Sequence, residues 1–464
     1  MSAVASPSSD TRESLSGIFA AYASSLDGAQ VDDAALHALR RAMVDYLACV
    51  YAGNEQPASQ AIRRWAAAEG GAAAATVVGS QVRLPASQAA FVNGAAAHSL
   101  DFDDGYTRGS VHPGGVIYSA ALAAAEKYGA SAADFIAGVV AGYDMMLRLA
   151  EAMHPTSALR GWHNTAVAGV LGAAVTAGRI RGLSPQQLRD AIGLATSFSG
   201  GIREYLNDGA EVKRLHPGKS ARDGIVCAEL AAEGITGPVE SLEGADGLFR
   251  AMVDDRAKAG RVVEGLGKEF LITQAYFKPY PCCRHFHAVI DATLALRDEG
   301  VDPARVRGIT IGLYEVGAHG HDHCTASNLL EAQMSAPCAV VTSLLHGFPS
   351  VSTFDPAVFT SAEAQRLLAA TTVEVDDECQ AIYPKIRSGI VTLELDDGTR
   401  VQKRVLEPRG EVANPLSDQD LSQKFMNNLP EHVSRDTAAR LLDWIWNMKR
   451  DSDLSAMFPL LAGN

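Results

Sequence analysis

The hydrophobic residues of this chain repeat with two different periods, and the change between them falls near residue 270. From about Leu15 to about Gly260 apolar side chains recur at spacings of three and four, as at Leu36, Leu39 and Met43, which is the pattern of amphipathic helices. Segments such as SAALAAAEKYGA and AGVLGAAVTAGRI are rich in alanine, whose small side chain lets helices approach closely. We therefore expect a large helical domain over residues 1–268.

After residue 270 the segments VRGITIGLY, TTVEVDD and GIVTLELDDGTRVQKRV alternate between apolar and polar residues, as strands do. The last of them carries Asp397-Gly398 at the place of a hairpin turn. Past Pro408 the helical pattern returns in SQKFMNNLP and RDTAARLLDWIWNM. The sequence thus predicts a mainly α fold with an α+β lid: a smaller α/β lid domain over residues 269–408, and C-terminal helices over 409–464 that rejoin the helical domain.

The composition limits the partners and the compartment. The 54 acidic against 40 basic residues give a net charge of −14, which argues against nucleic acid or an anionic membrane as a partner. Seven scattered cysteines do not suggest a disulfide framework, so we expect a cytoplasmic protein. The polar N-terminus MSAVASPSSDTRESLSG does not look like a targeting segment, and no apolar run reaches the roughly 18 residues of a membrane span.

The first of four polar segments is HSLDFDDGYTRGSVHPGG, which lies between two alanine-rich helices. Its candidates for chemistry are Asp101, Asp103, Asp104 and His112, although an aspartate before a helix is equally often a helix cap. His112 precedes Pro113-Gly114-Gly115 at the start of an apolar helix. The positive end of the helix dipole would lower the pKa of the imidazole there, which favours a neutral base.

The second and third segments also place polar groups beside helix starts. In GWHNTAVAGVLGAA, His163 precedes a helix whose N-terminus could receive a substrate carboxylate, and a packing role for this histidine is the alternative. In EVKRLHPGKSARDG we expect Pro217-Gly218 to open a helix. Basic and imidazole groups crowd that start, forming either an anion site or a charged surface: Lys213, Arg214, His216, Lys219 and Arg222.

The fourth segment, AYFKPYPCCRHFHAVIDA, opens the lid domain. It carries Lys278, Cys282, Cys283, Arg284, His285 and His287. Adjacent cysteines do not form a CxxC metal clip, and the short spacing makes a zinc site from these cysteines and histidines sterically awkward. The later HGHDHC, with His321 at its centre, has no obvious carboxylate partner for a metal site and is expected to be a polar loop at the cleft. We therefore expect no metal.

Taken in order, the segments DFDDGYTRGSVHPGG, GWHNTAVAGVLGAA, KRLHPGKSARDG, KPYPCCRHFHAVIDA and RGEVANPLSDQDLSQKF resemble the MmgE/PrpD family, from about residue 15 to about residue 450. That family includes 2-methylcitrate dehydratases, cis-aconitate decarboxylases and iminodisuccinate epimerases. Its members have a large helical domain and a smaller α/β lid, usually as homodimers without a metal. The resemblance implies a small anionic carboxylate substrate, no cofactor and a homodimer.

The resemblance also implies roles for individual residues. It places proton transfer on Asp101 and His112 and the binding of substrate carboxylates on Lys213 and Lys278. Further substrate contacts are expected from His163, His216, Arg284, His285 and Cys338. Decarboxylase-like members carry a threonine where this chain has Gly105 and a tyrosine where it has Cys338. One more residue also separates DFDD from His112 here.

Because of these departures, the leading hypothesis is a dehydratase-type lyase that removes a proton next to a carboxylate. An epimerase such as one acting on iminodisuccinate, or a cis-aconitate decarboxylase, would use much of the same machinery. A hydrolase with Cys282 or Cys283 as nucleophile and His285 or His287 as base belongs to another class. An inactive carboxylate-binding protein is the non-enzyme alternative.

Overall fold

Helices make up most of the described structure, so the mainly α fold class with a smaller α/β part is confirmed. The computed structural model describes residues 13–207 and 209–463. The first part of the chain is helical apart from one two-stranded ribbon, and its elements run in this order: α1 (Leu15–Ser25), α2 (Asp33–Asn54), α3 (Pro57–Glu69), β1 (Ala75–Thr76), β2 (Arg83–Leu84), α4 (Ala86–His98), α5 (Gly114–Tyr128), α6 (Ala132–Met153), α7 (Thr156–Leu159), α8 (Asn164–Arg181), α9 (Pro185–Phe198), α10 (Val212–Ala232) and α11 (Leu248–Met252).

Polar caps start several of these helices and apolar faces hold them together. The hydroxyls of Ser131 and Ser184 accept hydrogen bonds from the first turns of α6 and α9, and Gln187 completes a capping box in α9. Most side chains of α6 and α8 are buried, Phe135 and Tyr143 among them, so these two helices lie at the centre of the helical core. No helix of the described residues is long and apolar enough to cross a membrane.

The second part of the chain contains a mixed four-stranded sheet covered by short helices. Its elements are α12 (His287–Asp298), β3 (Val306–Leu313), α13 (Glu315–Ala318), α14 (Leu329–Gln333), α15 (Ala336–His346), α16 (Ala362–Ala369), β4 (Thr371–Val375), α17 (Asp377–Ile382), β5 (Gly389–Leu395) and β6 (Arg400–Val405). The strand order is β4-β3-β5-β6, with β3 and β4 parallel and the other pairs antiparallel. Gly398 adopts a positive φ of 83° between β5 and β6, as the predicted hairpin requires.

The last helices are α18 (Asp418–Asn427), α19 (Arg435–Asn447) and α20 (Phe458–Leu461). Phe425 of α18 and Leu441 of α19 belong to the helical core rather than to the core of the sheet. The buried Lys424 ammonium donates to Asp45 Oδ1 on α2 and to the carbonyls of Phe102 and Lys278, each at 2.7 to 3.0 Å. One side chain thus ties the final helices to the segment that leads into the sheet-containing part.

The expectation that Pro217-Gly218 opens a helix is wrong. Helix α10 begins five residues earlier, at Val212, and contains Pro217. Proline lacks the N–H that would bond to the carbonyl of Lys213, but at the sixth position only the first turn of the helix is affected. Lys213 and His216 are three residues apart, so their inclusion in the helix places them on one helix face.

Helices α4 and α10 touch backbone to backbone, and glycine makes this possible. A Cβ at Gly218 would lie 2.2 Å from the carbonyl oxygen of Phe91, and one at Gly94 would lie 2.7 Å from the Cα of Gly218. The two helices carry His98 and Lys213, so this contact sets the spacing of polar groups at their ends.

We predict that Gly218→Ala lowers the free energy of unfolding by about 1–3 kcal/mol, because the added methyl forces α4 and α10 apart. Thermal and urea unfolding would measure the change. Gly260→Ala is the matched control, since a Cβ at Gly260 meets open space. Equal unfolding midpoints for the two variants would contradict the close contact.

Candidate active site

A cavity of about 80 Å³ lies between the helical part and the sheet-containing part. The helical part contributes most of its walls: Asp101, Ser110, His112, Ala158, Trp162, His163, Asn164, Arg203, Tyr205, Leu206 and Lys213. The remaining walls are Tyr276, Cys283, Arg284, His285, His321, Met334 and Arg387. A concave pocket in which several polar and ionisable groups converge is a candidate binding site for a small molecule.

Asp101 is held between two lysines at the floor of this cavity. Its carboxylate Oδ1 lies 2.5 Å from Lys213 Nζ and 3.2 Å from Lys278 Nζ, and Lys278 also donates to the Asp101 carbonyl at 2.8 Å. Burial works to raise the pKa of Asp101, but the two ammonium groups outweigh it and hold the pKa well below its ordinary value. The backbone of Asp101 has a φ of 50°, a conformation that aspartate adopts more readily than most residues. Asp101 is therefore a permanent anion at neutral pH.

The two other aspartates of the DFDD segment, Asp103 and Asp104, accept hydrogen bonds from neighbouring groups of the helical part. Asp104 Oδ1 accepts from the Gly114 amide at 2.7 Å, which caps α5, and its Oδ2 accepts from the hydroxyl of Tyr143 at 2.8 Å. Asp103 accepts a hydrogen bond from His98 Nδ1 at 2.8 Å. The sequence left open which aspartate caps the helix, and the structure assigns the cap to Asp104.

His112 is a neutral imidazole with one nitrogen free. Its Nδ1 lies 2.8 Å from the carbonyl oxygen of Asp104, and because a carbonyl only accepts, Nδ1 must carry the proton. Nε2 therefore keeps its lone pair, and it has no hydrogen-bond partner among the described residues. Burial lowers the pKa of His112 to about 3, with Asp103 opposing that shift. A ring in this state can accept a proton.

His163 and His216 form a hydrogen-bonded pair of imidazoles. Their Nδ1 atoms are 2.8 Å apart, so one ring donates and the other accepts. His163 lines the cavity at the start of α8, whereas His216 lies behind it. Burial lowers the pKa of His163 well below its ordinary value and that of His216 to about 4.

Three guanidinium groups face the cavity. Arg284, one of the predicted residues, is buried and pairs with Glu411 Oε1 at 2.9 Å. Arg203 and Arg387 were not predicted, because each stands in a stretch without a recognisable motif. Arg387 is 4% exposed, and its Nε has no hydrogen-bond partner. Together with Lys213 these cations outnumber the anionic Asp101, so the cavity is suited to a substrate with more than one negative charge.

The comparison with known proteins covers both parts of the chain. Residues 17–260 match the model of the MmgE/PrpD N-terminal domain and residues 280–449 that of the MmgE/PrpD C-terminal domain. This chain belongs to the MmgE/PrpD family. Among curated relatives, the cis-aconitate decarboxylase-like protein oryM of Aspergillus oryzae is 26% identical over 92% of this chain and 93% of its own length. The cis-aconitate decarboxylases of Homo sapiens and Aspergillus terreus are 26% and 23% identical over 97% and 98% of this chain and 95% and 97% of their own lengths.

Not every residue expected at the site of this MmgE/PrpD protein reaches the cavity. Lys278 is fully buried behind Asp101, where it contacts the carboxylate and not the open space. Cys338 lies on α15 in the apolar core around the sheet, so the expectation that it contacts the substrate is wrong. The resemblance of the surrounding motif did not reveal that this helix turns its cysteine into the core.

The cysteines of the fourth segment are poor nucleophiles. Burial raises the pKa of the Cys282 thiol well above its ordinary value and also raises that of Cys283. The ring of His287 is occupied by the guanidinium of Arg284 at 2.7 Å. The geometry therefore disfavours a cysteine hydrolase, which needs a thiolate.

Within the described residues, two groups of side chains are close enough together to bind a metal ion, with ligand atoms within 4.8 Å of one another. One consists of Cys283, His285 and His321, and the other of His98, Asp103 and His112. Burial is the largest cause of the low pKa of His285 and His321, and Arg203 adds to it. The same positive field would oppose a divalent cation at Cys283, His285 and His321, so that group fits a metal poorly.

We predict that this MmgE/PrpD protein loses stability as the pH falls below about 6.5. The unfolded chain then protonates His216 (ordinary pKa about 6.5) while the folded protein keeps it neutral down to about pH 4. Each such histidine contributes about 1.4 kcal/mol per pH unit in this window. Replacing His216 with Gln should reduce the slope of unfolding free energy against pH by about one proton. An unchanged slope would contradict a neutral His216, and the slopes above pH 7.5 serve as the control.

Proposed function

We propose that the protein is a cofactor-independent lyase of the dehydratase type, which acts on a small di- or tricarboxylate in the manner of a 2-methylcitrate dehydratase. The observation that carries the proposal is the position of His112: its Nδ1 donates to the Asp104 carbonyl, its Nε2 has no partner among the described residues, and the cavity it lines holds an excess of cations. A base and a carboxylate clamp are the two parts that removal of a proton next to a carboxylate requires.

In this proposal His112 Nε2 removes the proton from the carbon beside a carboxylate. Lys213 and the guanidinium groups of Arg284 and Arg387 bind the carboxylates and stabilise the negative charge that builds on the substrate. Asp101 is not assigned this task, because its Oδ1 already pairs with the ammonium groups of Lys213 and Lys278. Asp101 instead positions Lys213 at the cavity floor, and Lys278 supports Asp101 from behind.

A second candidate is decarboxylation of a cis-aconitate-like acid. The comparisons favour it, since the relatives named above are cis-aconitate decarboxylases or similar to them over nearly the whole chain. Gly105 and the buried Cys338, which replace hydroxyl-bearing residues of decarboxylase-like members, favour dehydration. An epimerase would use the same first step and return the proton to the other face.

We predict new alkene signals when the protein is incubated in deuterium oxide with 2-methylcitrate, citrate and related hydroxy diacids and followed by proton NMR. Replacing His112 with Gln should slow the reaction by about 10²–10⁴-fold, because the variant lacks the base. His432→Gln is the matched control, since this histidine is half-exposed and far from the cavity lining.

Other outcomes of that experiment would exclude the proposal. Release of carbon dioxide from cis-aconitate without any dehydration would establish the decarboxylase, and deuterium entering an α-position of an amino or hydroxy diacid without a new alkene would establish an epimerase. Binding of these acids without turnover would indicate an inactive protein. The assay is run after dialysis against EDTA, and a requirement for added divalent metal would contradict the cofactor-independent chemistry.

A further inference from the structure

Tyr276 lines the cavity with a phenol that takes no part in the steps described so far. Tyr276 lines the cavity and Lys278 contacts Asp101, whereas the side chain of Phe277 between them belongs to the helical core. The backbone of Tyr276 pairs with Gly105, with N–H to O distances of 2.8 and 3.0 Å. The ring therefore lies against the loop that holds Asp101 and His112.

Gly105 makes room for this hydroxyl. A Cβ at residue 105 would lie 2.3 Å from both Oη and Cζ of Tyr276. No side chain at position 105 is compatible with the observed place of the phenol. The space that a side chain at residue 105 would occupy is thus filled by the hydroxyl of Tyr276.

The surroundings of Tyr276 suit a proton donor. Arg284 lies over the ring, with 4.7 Å from Cζ of the guanidinium to the ring centroid. Burial raises the pKa of Tyr276 to about 12, while Lys278, Arg387 and Arg284 oppose the rise. The phenol is protonated at neutral pH, and the cations would stabilise the tyrosinate left after it donates. Its hydroxyl has no hydrogen-bond partner among the residues that the structure describes, so the proton is available.

Other cavity groups are less suited to this task. The free Nε2 of His112 carries no proton at neutral pH, and the Cys283 thiol is a weaker hydrogen-bond donor than a phenol. A second phenol, Tyr205, packs edge-on against the rings of His163 and His216, with centroids 5.7 and 5.9 Å apart.

We propose that Tyr276 is the general acid that protonates the leaving hydroxyl. The role rests on the dehydration proposed above. His112 Nε2 takes the carbon-bound proton, and the C–O bond breaks with its electron pair going to oxygen. The Oη proton of Tyr276 joins that oxygen to form water, and the alkene is left behind. Transfer of the proton from the imidazolium to the tyrosinate, through water in the emptied cavity, restores both groups.

The test varies the leaving group. Fluoride departs without full protonation, so a hydroxy diacid and its analogue with fluorine in place of the hydroxyl should respond differently to loss of the acid. We expect Tyr276→Phe to lower kcat by about 10²–10⁴-fold on the hydroxy diacid and by less than about tenfold on the fluoro analogue. A role confined to packing would lower both rates by the same factor.

Tyr106→Phe is the matched control, because its hydroxyl belongs to the same loop but donates to Glu151 away from the cavity, at 2.6 Å. Gly105→Ala is a second, independent variant, since its methyl displaces the Tyr276 hydroxyl without removing it. We expect it to show the same dependence on the leaving group. It keeps the test open should Tyr276→Phe unfold.

Equal loss on both substrates, or full activity of Tyr276→Phe on the hydroxy diacid, would overturn the assignment of the acid and leave the dehydration standing. If the wild-type protein forms no alkene from any hydroxy diacid, both the dehydration and the role of Tyr276 are overturned. The wild-type reaction thus separates the two failures.

Discussion

The buried Asp101 carboxylate needs compensating positive charge, and the arrangement of the site follows from how that charge is supplied. Lys213 comes from α10 and Lys278 from the segment that leads into the sheet-containing part, so a single anion joins the two parts of the protein. Removing one partner of a buried ion pair costs about 3–5 kcal/mol, because the remaining charge is left in a poor solvent. The three side chains therefore act as one unit. The helical part and the segment around Lys278 must pack so that these three side chains meet.

The same burial that makes Asp101 dependent on its lysines keeps the nearby imidazoles neutral. His112, His163 and His216 have little access to water, so each is a weaker base than in solution, though it retains an unprotonated nitrogen at neutral pH. The guanidinium groups that line the same cavity supply charge without competing for the proton. Burial thus affects three kinds of side chain differently. The carboxylate stays charged beside its lysines, the imidazoles stay neutral, and the guanidinium groups stay charged.

Much of the fold could be predicted because it follows from local pattern. The strands β3 to β6, the Gly398 turn and the helices after Pro408 lie where alternation, turn residues and helical spacing indicated. The start of α10 could not be predicted, since the sequence rule treats Pro217 as a helix start, whereas packing against α4 extends the helix by a further turn.

The site shows the same division. The structure brings to one cavity six residues that the motifs had indicated: Asp101, His112, His163, Lys213, Arg284 and His285. Arg203, Arg387 and Tyr276 reach it only through tertiary contacts, which no spacing in the sequence encodes. The glycine at position 105 was the one signal that could have found Tyr276, because a missing side chain at a loop beside the site implies that something else fills the space. Cys338 was wrongly expected at the site, because the resemblance of a motif does not show which side of a helix faces the cavity.

The protonation state of His112 is the most direct test of the chemistry. Protein labelled with ¹⁵N in its histidine rings would be titrated by NMR between pH 8 and pH 4, with His112→Gln to assign the His112 signals. We predict that the His112 signals remain those of a neutral ring protonated on Nδ1 over this whole range, since the pKa is about 3. A shift to the doubly protonated form with a midpoint near the ordinary histidine pKa of about 6.5 would contradict the neutral base on which the proposed reaction depends.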